Sequence, residues 1–189
     1  MKTLLVNNYS PYLNNIIQIL NEFNCDFECH DCDYIYSSSY LEKGSLARFD
    51  NVILSGRQHN SAITNRINSA IVKNCHMDDK PLLGICYGGQ ILALTFGSTL
   101  KKIHKIQDVE KITVLESNRL LPEGKTLTMF ESHNFCVSHL SDDFILLASS
   151  DSCKNEFFCL NNKPLFGAQF HPEKSGIPGK SFIKNFIEI

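Results

Sequence analysis

Ten consecutive residues, Pro81-Leu82-Leu83-Gly84-Ile85-Cys86-Tyr87-Gly88-Gly89-Gln90, place one cysteine between glycines, after an apolar run and before the helical pattern Ile91-Leu92-Ala93-Leu94. This stretch predicts a strand that turns sharply into a helix, with the cysteine at the turn. Small residues beside the turn let the two elements approach each other. The helix N-terminus stabilises a thiolate through the helix dipole. The sequence therefore predicts that Cys86 is a nucleophile.

A base for this thiol is found much further along the chain, in Phe166-Gly167-Ala168-Gln169-Phe170-His171-Pro172-Glu173. A histidine can take the thiol proton and return one to a leaving group, while a carboxylate holds the imidazole in the useful tautomer. Taken singly, a cysteine after an apolar strand is usually inert core and a His-Pro-Glu run is usually surface. Their joint occurrence predicts a triad of Cys86, His171 and Glu173.

Together these two segments resemble the class I glutamine amidotransferase family, whose pattern is a G-x-C-x-G-x-Q elbow followed by F-H-P-E. The resemblance covers essentially the whole chain and implies an α/β, flavodoxin-like fold. We expect an open mixed sheet, with a mostly parallel core and helices on both faces. The family's activity is hydrolysis of L-glutamine to glutamate and ammonia, which usually passes to a separate synthetase subunit. No cofactor and no metal are expected.

The resemblance also implies a role for individual residues. Cys86 would form a γ-glutamyl thioester, His171 would be the base, and Glu173 would orient it. The oxyanion hole would consist of backbone N–H groups of Tyr87 and of the Gly56-Arg57 turn. The substrate's α-amino and carboxylate groups would be held by Gln90 and by the backbone around the following residues: Ser132, His133, Asn134 and Phe135.

Three positions depart from the family pattern. Arg57 follows Gly56 where many relatives have further glycines, so only Gly56 can adopt a positive φ at low cost. Arg57 is therefore expected to block, restrain or gate the site, and low basal activity raised by a partner is one hypothesis. Gly89 replaces a frequent histidine, and Asn134 replaces an aspartate that is usual in one subfamily.

These departures leave the subfamily open. The segment 129–137 resembles partly guanosine monophosphate (GMP) synthetase and partly the small subunit of carbamoyl phosphate synthetase, while 173–176 is similar to the imidazole glycerol phosphate synthase glutaminase. The favoured hypothesis is a stand-alone glutaminase subunit serving GMP synthesis. The alternatives are a glutaminase for another pathway, the anthranilate and aminodeoxychorismate synthases included, a partner-independent γ-glutamyl hydrolase, and a regulatory homologue without turnover.

Composition is ordinary for one globular domain, expected to span residues 1–189. The chain is 43% hydrophobic, and 18 basic residues nearly balance 20 acidic ones. The short Lys101-Lys102-Ile103-His104-Lys105 cluster is most simply a solvated face, so nucleic-acid binding is not expected. No apolar segment reaches the length of about 20 residues that spans a bilayer. With no secretory signal and a reactive thiol, the cytoplasm is the expected compartment.

The spacing of Cys25, Cys29 and Cys32 is C-x3-C-x2-C, which some iron–sulfur enzymes use. The alternation of Cys25 and Cys29 with polar residues instead favours a strand with one buried face, on which ligands cannot converge. We expect no metal here.

Alternating elements predict the parallel half of the sheet. Strands are expected at 3–7, near Asp26, at 51–54 and at 81–85, and helices at 12–23, 65–74 and 179–189. Shorter β-like runs are expected at 112–115, 126–130, 144–148 and 157–160, with turn signals at 122–124 and 161–162.

Overall fold

A nine-stranded mixed sheet flanked by helices is seen in the computed structural model, which describes residues 1–38, 42, 44–59, 61–121 and 125–189. The strands are β1 (Lys2–Asn7), β2 (Asp26–Asp31), β3 (Asn51–Leu54), β4 (Leu82–Ile85), β5 (Thr99–Val114), β6 (Thr126–His139), β7 (Phe144–Ser149), β8 (Phe157–Leu160) and β9 (Leu165–Ala168). The helices are α1 (Leu13–Glu22), α2 (Cys32–Ser37), α3 (Ala62–Met77), α4 (Tyr87–Thr95) and α5 (Gly176–Ile187). A 3-10 helix, Pro172–Lys174, precedes α5.

The strand order is β2-β1-β3-β4-β9-β8-β7-β5-β6. Pairs within β2-β1-β3-β4-β9 are parallel, and the remaining pairs, from β9-β8 to β5-β6, are antiparallel. This confirms the predicted open mixed sheet with a parallel core. Four of the parallel strands, β1, β3, β4 and β9, are mostly buried on both faces, which explains their largely apolar sequences, whereas the edge strand β2 is only partly buried.

Two hydrophobic cores cover the two faces of the sheet. Apolar residues of α1 and α5 pack against one face, and those of α2, α3 and α4 pack against the other. Phe182, Ile183 and Phe186 of α5 are fully buried, as their helical spacing predicted. Helices on both faces are therefore confirmed. None of the helices in the described segments is long and apolar enough to cross a membrane.

The long β5–β6 hairpin and the short helix α2 were not predicted. Most side chains of β5 are exposed, so this strand lacks the apolar alternation that would reveal it in the sequence. The predicted runs at 112–115 and 126–130 are only the ends of the two strands that lie nearest the core. The turn signal expected at 122–124 lies outside the described residues, whereas 161–162 does form a turn.

The parallel strands all end at one edge of the sheet, where ligand sites of open α/β sheets are formed. Gly56 follows β3, Cys86 follows β4 and His171 follows β9, and these strands are consecutive neighbours. Residues far apart in the sequence therefore converge on one edge.

Candidate active site

Cys86 forms the turn between β4 and α4. Its φ is 49° and its ψ is −102°, an unusual backbone conformation for a residue with a side chain. Such conformations cost about 1–3 kcal/mol and persist where surrounding structure enforces them. Here the Cys86 N–H donates to the carbonyl of Ala168 on β9, at 2.7 Å. The predicted elbow is present, with the cysteine at its tip.

The elbow requires the glycines that flank Cys86. A Cβ added to Gly84 would lie 2.4 Å from the carbonyl carbon of Gly88, and one added to Gly88 would lie 2.6 Å from the oxygen of Leu54. Neither distance is possible between real atoms. The helix can start directly above the sheet only because these side chains are missing.

His171 and Glu173 face the elbow from the segment after β9. His171 Nδ1 lies 2.8 Å from Glu173 Oε1, and both residues are buried. The backbone N–H of His171 donates to the carbonyl of Phe130 at 2.7 Å, which connects this segment to β6. Burial alone would lower the pKa of His171, but the charges of Glu173 and Cys86, and hydrogen bonds to both, raise it well above its usual 6.5. The site therefore favours an imidazolium beside the sulfur.

The oxyanion loop follows β3. The Ser55 hydroxyl donates to the Gly56 carbonyl at 3.1 Å, which fixes the orientation of the Gly56–Arg57 peptide. Gly56 does not have a positive φ. Glycine is needed for space instead, because a Cβ there would lie 2.8 Å from His171 Cε1. The N–H groups of Arg57 and Tyr87 have no acceptor within the described residues, so both can bind an oxyanion.

The side chain of Arg57 turns towards Tyr87. Its guanidinium carbon lies 5.5 Å from the centre of the Tyr87 ring. Nε and Nη1 are buried and have no hydrogen-bond acceptor in the described parts of the chain. Burial raises the pKa of Tyr87 to about 12, while the hydrogen bond and charge of Arg57 act in the opposite direction. This contact joins the side chains of Arg57 and Tyr87, the two residues whose backbone N–H groups are predicted to bind the oxyanion.

One of the predicted substrate residues, Ser132, lies beside the sulfur. The carbonyl of Ser132 is 4.0 Å from Cys86 Sγ, and Gln90 Nε2 donates to the Phe135 carbonyl at 2.7 Å. Asn134 is exposed, and Phe135 is 40% exposed. His133 is buried, and both of its ring nitrogens contact protein oxygens, of Phe135 and of Glu131. Its side chain is therefore committed to the protein, and only its backbone remains open to substrate.

A family model described as glutamine amidotransferase class-I matches residues 4–189. The chain belongs to the class I glutamine amidotransferase family. It is 31% identical to a protein of Thermoplasma acidophilum named as one subunit of a glutamine-hydrolyzing GMP synthase, over 100% of this chain and 92% of that protein. It is also 31% identical to the corresponding subunit from Methanosarcina barkeri, over 100% of this chain and 96% of that protein.

Solved structures support the assignment. A crystal structure of a protein described as a putative GMP synthase subunit, from Thermoplasma acidophilum, has a TM-score of 0.84 and 30% identity, covering 100% of this chain and 92% of that one. A glutamine amidotransferase from Thermotoga maritima has a TM-score of 0.76, covering 100% and 83%. Its identity of 20% shows the shared fold alone. The α/β fold implied by the resemblance is confirmed.

Four residues contact this amidotransferase site but had no role in the sequence analysis: Tyr12, Phe130, Gln169 and Ser175. Gln169 Nε2 lies 3.6 Å from Cys86 Sγ, and Gln169 Oε1 accepts from Gln90 at 3.1 Å. The ring of Tyr12 packs edge-on against His171, with centroids 4.9 Å apart. The Ser175 hydroxyl donates to the His171 carbonyl at 2.6 Å and accepts from the Phe130 N–H at 2.9 Å. Only Gln169 carried a signal, because it stands two positions before the predicted base.

The cysteines after α1 do not converge in this amidotransferase. Cys25 and Cys29 pack against the core formed by α1 and α5, whereas Cys32 is buried in the core on the opposite face. Among the described residues, no three His, Cys, Asp or Glu side chains are grouped closely enough to hold a metal ion. The strand geometry therefore separates these three thiols.

Proposed function

We propose that this protein hydrolyses L-glutamine to glutamate and ammonia through a γ-glutamyl thioester on Cys86, and that the ammonia passes to a separate GMP synthetase subunit. The observation that carries the chemistry is the buried Cys86–His171–Glu173 arrangement at the elbow. The partner is proposed because relatives named as one subunit of GMP synthase match over the whole chain.

The first half of the reaction breaks the side-chain amide. His171 holds the proton of the Cys86 thiol, and the sulfur attacks the amide carbon of glutamine. Charge develops on the amide oxygen, which the N–H groups of Tyr87 and Arg57 stabilise. His171 then returns the proton to the amide nitrogen, the carbon–nitrogen bond breaks, and ammonia leaves. Glu173 stabilises the imidazolium through these steps.

The second half regenerates the enzyme. A water molecule gives a proton to His171 and attacks the thioester carbon. The same two N–H groups stabilise the second tetrahedral intermediate. The carbon–sulfur bond breaks, Cys86 regains a proton from His171, and glutamate is released.

Substrate orientation is assigned to Gln90 and to the backbone of Ser132–Phe135. The Ser132 carbonyl lies near the sulfur, at a suitable place to accept from the α-ammonium group. Because Asn134 and Phe135 are exposed, the bound amino acid would lie close to the protein surface.

We further infer a single amidotransferase domain in the cytoplasm. One continuous sheet, which contains strands from both halves of the chain, supports the single domain. All eight cysteines are free thiols, and a nucleophilic cysteine must remain reduced, which supports a reducing compartment.

The pathway is tested by measuring glutamate release from wild-type protein, with and without the large GMP synthetase subunit, in the presence of the nucleotide substrates. We expect the partner to raise turnover, and GMP to form from glutamine. Glutaminase activity that ignores the partner would reject the GMP pathway. Cleavage of γ-glutamyl peptides without any partner would favour a γ-glutamyl hydrolase, and no reaction with either substrate would favour a regulatory homologue.

A further inference from the structure

A group of buried ionisable side chains lies behind the strand segment that is assigned to glutamine binding. Glu131 and Glu156 are 0% exposed and His133 is 7% exposed. His133 Nε2 lies 2.5 Å from Glu131 Oε2, and the Ser150 hydroxyl donates to Glu156 Oε1 at 2.6 Å. The catalytic steps described above use none of these side chains.

The carboxyl groups of Glu131 and Glu156 interact with each other. Glu131 Oε1 and Glu156 Oε2 are buried and have no hydrogen-bond donor among the described residues, so the two oxygens can satisfy each other only if one carboxyl group is protonated. Burial, and then the charge of Glu131 and a hydrogen bond to it, raise the pKa of Glu156 to about 10. At neutral pH Glu156 is therefore a neutral acid that donates to Glu131. A buried pair of this kind is stable only while every donor has its acceptor.

His133 continues this network towards the active site. Its Nδ1 lies 2.9 Å from the Phe135 carbonyl, which can only accept, so Nδ1 carries a hydrogen. The same carbonyl accepts from Gln90 Nε2. Gln90 contacts Gln169, whose amide lies 3.6 Å from Cys86 Sγ. Hydrogen-bonded contacts therefore run from Glu131 through His133 and the active-site glutamines to the nucleophile.

The strand segment needs support of this kind, because the sheet holds it weakly. β6 is the last strand in the sheet order, so it has one neighbouring strand. Its pairing with β5 shifts between Lys102 and Ile106, which pair with Phe135 and His133. Three residues of β5 thus stand opposite Asn134 alone, and such an irregularity disrupts the ladder of backbone hydrogen bonds.

We propose that Glu131 and Glu156 are positioning residues, which hold Ser132–Phe135 through His133 in the orientation that binds glutamine. This inference rests on the proposed function. The two carboxyl groups do not touch substrate. They fix the His133 ring, which in turn fixes the Phe135 carbonyl against Gln90.

The test compares two electrophiles at Cys86 in the full-length protein. The rate with iodoacetamide measures the reactivity of the Cys86 thiol alone. The rate with a diazoketone analogue of glutamine also depends on binding of the analogue through its amino-acid group. The second-order rate of each reaction is measured by mass spectrometry of the peptide that contains Cys86. The ratio of the two rates isolates substrate positioning from thiol reactivity.

We expect Glu156→Leu to lower this ratio at least tenfold, with little change in the iodoacetamide rate. Glu156→Gln is the matched control, because its amide can donate to Glu131 and accept from Ser150 as the neutral acid does. It should keep the ratio within about twofold of wild type, as expected for an intact hydrogen bond. Glu156→Asp, whose shorter side chain withdraws the acid from Glu131, should lower the ratio severalfold and serves if the leucine variant does not fold.

A wild-type ratio in Glu156→Leu or Glu156→Asp would overturn the positioning role. So would an equal fall in both rates, which would mean that the network supports the nucleophile rather than the substrate strand. If the wild-type thiol reacts with iodoacetamide but not with the glutamine analogue, the proposed function itself fails. The experiment thus separates the two failures.

Discussion

His171, the proposed base, and Gly56, in the proposed oxyanion loop, lie so close together that a Cβ on Gly56 would stand 2.8 Å from His171 Cε1. The glycine therefore sets the position of the imidazole ring as well as that of the loop. We expect Gly56→Ala to displace the ring and to lower kcat about a hundredfold, because general acid–base catalysis depends on the placement of the base. Steady-state glutaminase assays measure this effect.

Gly97→Ala is the matched control for this prediction. Gly97 has a φ of +85° and open space around its Cβ position, at the far end of α4. Its substitution should cost about 1 kcal/mol of stability through backbone strain and leave kcat unchanged. A Gly56→Ala variant with full kcat would show that the ring does not depend on this contact.

Glu173→Gln should make activity more sensitive to alkaline pH. The carboxylate stabilises the His171 imidazolium, and it is a main reason that the pKa of His171 lies well above 6.5. Without that charge the pKa of His171 falls, so the imidazolium loses its proton at a lower pH. We expect the alkaline limb of kcat/KM to move to lower pH, and kcat to drop about 10²- to 10⁴-fold. A pH profile with an unmoved alkaline limb would contradict this role of Glu173.

Arg57→Gly tests the restraint of the oxyanion loop. The guanidinium packs over the Tyr87 ring, and two of its buried nitrogens lack acceptors in the described segments. Because unsatisfied buried donors are costly, we expect the substitution to cost little stability. Partner-free glutaminase activity should rise severalfold, and stimulation by the synthetase should shrink. Arg57→Lys, which keeps the charge without the planar group, separates charge from restraint. A fall in activity with and without the partner would instead assign Arg57 to substrate binding.

Much of this site could be predicted because its signals are local. The glycines around Cys86 and the spacing of His171 and Glu173 lie within two short segments, and the structure brings those segments together. The buried pair of Glu131 and Glu156 could not be predicted, since the two residues meet only through the packing of the antiparallel strands. Nothing in the sequence around Glu131 or Glu156 distinguishes either residue from an ordinary exposed glutamate.

The fold shows the same division. The central parallel strands β1, β3 and β4 are mostly apolar, so their sequences reveal them. The long strand β5 is mostly exposed and α2 is only six residues long, and neither has a periodic apolar pattern strong enough to predict it. The need for space at Gly56 could not be predicted for a related reason. A side chain at this position would collide with the ring of His171, which is far away in the sequence, whereas the backbone angles of Gly56 do not require glycine.

Glu156→Gln should change the pH dependence of stability. The pKa of Glu156 is raised to about 10, chiefly by burial and then by Glu131, with Glu110 contributing. The folded protein thus keeps a proton that the unfolded chain releases, so wild-type stability falls as pH rises from about 5 to 10, by up to about 1.4 kcal/mol per pH unit. Glutamine cannot ionise, so this decline should be smaller in the variant. Urea unfolding at about pH 5.5 and at about pH 8.5, two values within this window, measures the difference in stability.

The control for this stability prediction is Asp151→Asn, which removes an exposed carboxylate from the same loop as Ser150. It should leave the pH dependence as in wild type. Parallel stability curves for wild type and Glu156→Gln would show that Glu156 is not held neutral in the folded protein.

The most direct test of the whole account is glutamate release from L-glutamine by wild type and by Cys86→Ala, each mixed with the GMP synthetase partner and its nucleotide substrates. We expect wild type to release glutamate and to form a γ-glutamyl adduct on the peptide that contains Cys86. The alanine variant should keep its fold and release no glutamate above background. Equal glutamate release by the two proteins would contradict the assignment of Cys86 as the nucleophile.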